Sequence, residues 1–185
     1  MIQIISFNKE NKEKIAKTIA LLFDSKNNIP DYLKTKLLDS LLWATTEYND
    51  SGKKDKYFGQ PFWSEEALKQ LLINKKSGVS LDKDLRHEHA VPKKLIKDEI
   101  LTLKNKSEEE IFNILDKLGH AVIISKDEDE KLNRLHRSSS PNLYDVFSRY
   151  KEQQEIKVCQ LPDNFNFEDF EEKDIDKICQ QNLLY

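Results

Sequence analysis

Two histidines flank a glutamate in Arg86-His87-Glu88-His89-Ala90-Val91-Pro92, and three of the chain's four histidines fall between positions 87 and 120. An imidazole beside a carboxylate can act as a base near neutral pH. The carboxylate can hold a hard divalent cation through oxygen, with Mg²⁺ or Mn²⁺ as the fitting choice. No other stretch concentrates as many reactive groups in so few residues. If the segment is extended, His87 and His89 share one side and Glu88 takes the other.

Glu88-His89-Ala90-Val91-Pro92 resembles the opening of the HNH, or ββα-metal, nuclease motif. In that family a strand ends in an acidic residue or His followed by His, then an apolar residue and often Pro. The motif's second half is a strand running into a short helix that supplies a further metal ligand. Ala121–Ser125 followed by Lys126–Asn133 is similar to it. Upstream, Trp63-Ser64-Glu65-Glu66-Ala67 resembles an element of HNH-like bacterial proteins. The resemblance covers about residues 80–137. Two features depart from the family. His89 and Asp129 stand 40 positions apart, where the family usually has a compact loop, and no Cys-x-x-Cys pair is present.

The resemblance implies a metal-dependent phosphodiesterase with His89 as general base and Glu88 as metal ligand. The metal would neutralise charge at the scissile phosphate. Asp129 stands where the family's closing helix offers a ligand. Glu128 is the second candidate, although Ser125-Lys126-Asp127-Glu128 is also a capping-box pattern, which gives Glu128 a backbone duty. Asn133 lies one helical turn beyond Asp129 on the same face. Arg137 is placed to clamp a phosphate in bidentate fashion. His87, His120 and His136 complete the candidate set.

The elements that must position these groups are read from periodicity. Residues 9–24 predict an amphipathic helix with Ile15, Ile19, Leu22 and Phe23 on one side. Pro30 opens a helix to about Glu47, with Leu33, Leu37, Leu38, Leu41 and Leu42 inward. Tyr57–Trp63 reads as core anchoring, and Ser64 caps a helix to about Ile73. A polar loop over 75–84, with a short strand at 79–81, leads to the His-Glu-His element. Pro92 starts a helix to about Leu103. Ser107 caps another that carries Ile111, Ile114, Leu115 and Leu118 and stops at Gly119. A strand at 121–124, a helix capped by Ser125, a helix from Ser139-Ser140-Pro141 carrying Leu143, Val146, Phe147 and Tyr150, and a strand over 156–161 follow.

Composition bounds the rest. At 185 residues one domain with appendages is expected, and 38% apolar residues permit a core because they fall in periodic runs. No run of 18 apolar residues exists, so no membrane span is expected. Met1–Phe7 is too short for a signal peptide. Cys159 and Cys179 do not read as a zinc site, and together with the absence of an export signal they point to a reducing cytoplasm. A net charge of −3 does not point to nucleic acid, yet Lys93, Lys94, Lys97, Lys104 and Lys106 could form a local basic face. From Asp163 to Asp176 seven acids face the single base Lys173, with Phe165, Phe167 and Phe170 interleaved.

The expected fold is α+β, mainly helical, with a small embedded ββα-metal element. Residues 1–161 form a helical domain and 162–185 an acidic aromatic tail, whose packing on its own domain is the favoured reading. The expected function is metal-dependent hydrolysis of nucleic acid, DNA ahead of RNA. The alternative is a non-catalytic helical interaction protein that binds a protein partner through the tail, or a homo-oligomer. A zinc module built on His87 and His89 is disfavoured because no Cys ligand is near.

Overall fold

The computed structural model describes residues 8–152, 156–163 and 165–185. Met1–Phe7, read above as too short for a signal peptide, lies outside the described residues. The protein is mainly helical α+β. Helices α1 (Lys9–Phe23) and α2 (Asp31–Glu47) lead into strand β1 (Phe62–Ser64) and helix α3 (Glu65–Ser77). The short helix α4 (Leu81–Asp84) runs straight into strand β2 (Leu85–His89). Helices α5 (Lys93–Thr102) and α6 (Glu108–Leu118) fill the long connection to strand β3 (Ala121–Ser125). Helices α7 (Lys126–His136) and α8 (Ser148–Glu152), strand β4 (Val158–Gln160) and helix α9 (Glu172–Gln181) complete the chain.

Four strands form one mixed sheet in the order β2-β3-β1-β4. β2 pairs antiparallel to β3, with His87 opposite Ile123 and His89 opposite Ala121. β3 runs parallel to β1, and β1 antiparallel to β4. The sheet is therefore larger than the antiparallel pair expected, because the aromatic run at 57–63 supplies a strand as well as anchors. Alternation sends Phe62, Val122, Ile124 and Val158 into a core shared with α1, α2, α5, α6 and α7. It sends Trp63, Ile123 and Cys159 into a second core with α3 and α9. No described helix is long and apolar enough to cross a membrane.

Three expectations need correction. Leu33 and Leu37 are exposed rather than inward, because α2 buries only the stripe through Leu38 and Leu42. No strand forms at 79–81: α3 extends to Ser77 and ends on Gly78 at φ 66°, a left-handed C-cap. No helix starts at Pro141, and residues 141–147 form turns. There the Ser148 hydroxyl accepts from the Asn142 N–H (3.3 Å) and donates to its carbonyl (2.9 Å), a local arrangement that replaces helical bonds. The acidic tail packs on its own domain. Phe170, Ile175 and Ile178 are buried in the second core, and Cys179 is joined to Cys159 with their Cα atoms 5.2 Å apart.

Candidate functional site

β2, β3 and α7 form a strand–strand–helix unit. Ser125 ends β3 and starts α7 in the same residue: its hydroxyl accepts from the Glu128 N–H (3.2 Å), and the Glu128 carboxylate accepts from the Ser125 N–H (2.8 Å). Such a reciprocal cap fixes the angle at which the helix leaves the strand. Leu132 then buries α7 against β2 and β3. β2 is an edge strand, so the face that carries Arg86 and Glu88 meets α7 yet stays half-buried.

On that face Glu88 Oε1 accepts from Arg149 Nη1 at 3.1 Å. The same guanidinium nitrogen donates to the His89 carbonyl, also at 3.1 Å. Arg149 is wholly buried on α8, and its Nε and Nη2 have no hydrogen-bond partner among the described residues. Burial pushes the Glu88 carboxyl above its usual range against the pull of Arg149, and the charge of Asp129 adds to the rise. Asp129 is raised too, chiefly by burial, against the opposing charges of Arg86 and Arg149 and the Asn133 amide that donates to it at 2.8 Å. The Asp129 charge thus reaches Glu88 across the β2–α7 seam, while the neighbouring charge that raises Asp129 is Glu130. His136 continues the seam, with Nε2 3.0 Å from Glu152 on α8.

The structure does not bring the other sequence candidates to this face. His89 is buried and points to the opposite side of β2, where its Nε2 lies 3.1 Å from the Leu42 carbonyl and 3.4 Å from the Thr46 hydroxyl of α2. Its ring stands edge-on to Trp43 at 4.6 Å. Burial, aided by the neighbouring His87, drives its pKa down to about 3. A sealed, bonded imidazole cannot take a proton from bulk water, so the general-base role assigned to His89 is corrected to a packing role. His87 lies beside it, also buried, with no hydrogen-bond partner for either ring nitrogen among the described residues and its pKa lowered by burial to about 4.

His120 sits in the first core, edge-on to Phe62 at 5.7 Å, with burial lowering its pKa to about 3. Glu128 is also corrected as a ligand. It is buried, caps α7 and accepts from the Ser64 hydroxyl at 2.5 Å, so its oxygens serve the fold. Arg137 is exposed at the C-cap of α7, beyond the seam.

Sequence reasoning missed Arg149, Arg86 and Glu152. Arg149 lies 61 positions from its partner Glu88. Its one local signal is Tyr150 beside it in a segment that carries Val146 and Phe147. Among the described residues no group of three or more His, Cys, Asp or Glu side chains converges to hold a metal ion. The pair Glu88 and Asp129 still suits Mg²⁺, which keeps several waters and is commonly held by one or two carboxylates plus substrate phosphate. Both carboxyls are raised chiefly by burial, Glu88 also by the charge of Asp129, and a bound cation would relieve that. Comparisons with family models, with curated proteins and with solved structures find no match for this chain.

Proposed function

We propose that the protein is a metal-dependent phosphodiesterase of the ββα-metal kind, acting on nucleic acid, DNA ahead of RNA. One observation carries this reading: Glu88, on the half-buried face of β2 that meets α7, feels the charge of Asp129 on that capped helix. Glu88 and Asp129 hold Mg²⁺ or Mn²⁺, which when bound supplies charge neutralisation at the phosphate. Arg149 fixes the Glu88 carboxylate and the end of β2, and Asn133 fixes Asp129. His89 serves the packing of β2 under α2. Of the four histidines, His136 is the one placed on the Asp129–Asn133 face of α7.

Incubation of plasmid DNA with Mg²⁺ or Mn²⁺, beside an EDTA control, tests the reading. Cleavage is expected only with metal, and Glu88→Gln and Asp129→Asn should each lower it about 100-fold or more. Undiminished nicking in EDTA, or wild-type rates in both variants, would overturn it.

A second reading, a non-catalytic interaction protein, is favoured by a different observation. An apolar groove of about 780 Å³ lies between α1 and α2, walled by Leu21, Leu22, Leu37 and Leu41. The tail is committed to the protein's own core, so on this reading the groove binds a second copy. Inertness towards nucleic acid, together with self-association that Leu37→Asp abolishes in sedimentation, would favour it.

A further inference from the structure

Asp129 and Asn133 on α7 and Arg137 at its C-cap stand at i, i+4 and i+8, a ridge along one side of the helix. Next to Asn133 the helix borders an open concavity of about 370 Å³, lined by Glu130, Asn133, Arg134 and Arg137. Arg134 and Arg137 are exposed. Helix last turns favour cations in general. Neither guanidinium is hydrogen-bonded or ion-paired with any described residue, in contrast to those of Arg86 and Arg149. Guanidinium forks match phosphate oxygens in geometry and charge.

We propose that Arg134 and Arg137 bind backbone phosphates of a nucleic-acid strand laid along α7, leading away from the Glu88–Asp129 pair. At a rise of about 1.5 Å per residue, the two arginines stand roughly 7 and 12 Å beyond Asp129 along the helix axis. With a rise of about 3.4 Å per nucleotide, they meet phosphates some two to four steps from the bond at the carboxylates. Glu130 shares the concavity and opposes an anion there. The direction of the strand rests on the hydrolytic reading; the binding surface does not.

The test is anisotropy of a short labelled duplex in EDTA, where metal-dependent cleavage cannot intervene. Arg134→Gln/Arg137→Gln should weaken binding about tenfold or more at low salt. It should also lower the slope of log affinity against log salt by about two, one for each lost phosphate contact. Lys17→Gln/Lys36→Gln removes the same charge from exposed sites on α1 and α2 and should change affinity far less. Glu130→Gln should tighten binding. Unchanged melting temperatures would show that each variant folds. Equal loss in the two double variants, an unaltered slope, or no binding by the wild type would each overturn the proposal. Binding lost in the arginine variant from a wild type that never cuts would sink the hydrolytic reading and leave this surface standing.

Discussion

At the scale of single residues, the histidines carry the sharpest consequences. His89 fills a closed space against Trp43 and the Leu42 carbonyl, so His89→Ala should cost stability, about 2–4 kcal/mol. Urea unfolding measures this, and a midpoint equal to wild type would contradict the packing role. His87 differs, because neither of its buried ring nitrogens has a hydrogen-bond partner among the described residues. An apolar side chain of similar volume relieves that penalty, so His87→Leu should stay within about 1 kcal/mol of wild type at neutral pH.

The same residue tests proton linkage. His87, His89 and His120 have folded pKa values lowered to about 4, 3 and 3, against about 6.5 when unfolded. The unfolded chain binds more protons in that interval. The stability these rings contribute by staying neutral is therefore full above about pH 6.5 and is lost as pH falls towards 4 and then 3. Glu88, Glu128 and Asp129 have raised values and act with the opposite sign, offsetting part of the loss. His87→Leu should flatten the acid limb of the stability–pH curve, by up to about 1.4 kcal/mol per pH unit. Identical limbs for variant and wild type would refute the assignment.

At the scale of elements, the decisive piece is the C-terminal segment. α9 packs on α3 and β4, and Phe170, Ile175 and Ile178 sit in the second core with Trp63 and Leu71. Truncation after Leu161 strips one side of the sheet and should abolish cooperative melting. A truncated chain that melts like wild type would show the packing to be dispensable. The Cys159–Cys179 link closes a loop of about 20 residues, which is worth about 3 kcal/mol in a chain-entropy account. Cys179→Ser should therefore lower the melting temperature in oxidising buffer and matter little in dithiothreitol. No dependence on reductant in the wild type would count against the link.

At the scale of the whole molecule, one sheet separates two cores, and its residues alternate between them. Phe62 and Trp63, or Val122 and Ile123, are neighbours in the chain yet serve opposite sides. Neither core can lose its sheet face without exposing the other. Unfolding followed by helical circular dichroism and by tryptophan fluorescence should thus give coincident transitions, with Trp43 at the α2–β2 contact and Trp63 in the second core. Two separated midpoints would indicate that the layers unfold independently.

Local sequence determined much of this protein. Ser64, Ser107 and Ser125 cap the helices they precede, because a side-chain oxygen two or three residues ahead of a free N–H is a local event. The strand at 121–125, the helix after it and the alternation that opposes Glu88 to His87 and His89 follow from short-range pattern too. Glu88 and Asp129 could be named because a motif-like order carries them. Tertiary structure alone decided which side of β2 faces α7 and which is sealed beneath α2, and that choice moved His89 from a candidate base to a packing residue. It also chose Arg149 as the partner of Glu88 and set Glu128 against Ser64 across 64 positions. These are contacts between distant segments, made by the requirement that buried charge and buried donors find partners wherever packing brings them. No periodicity records them.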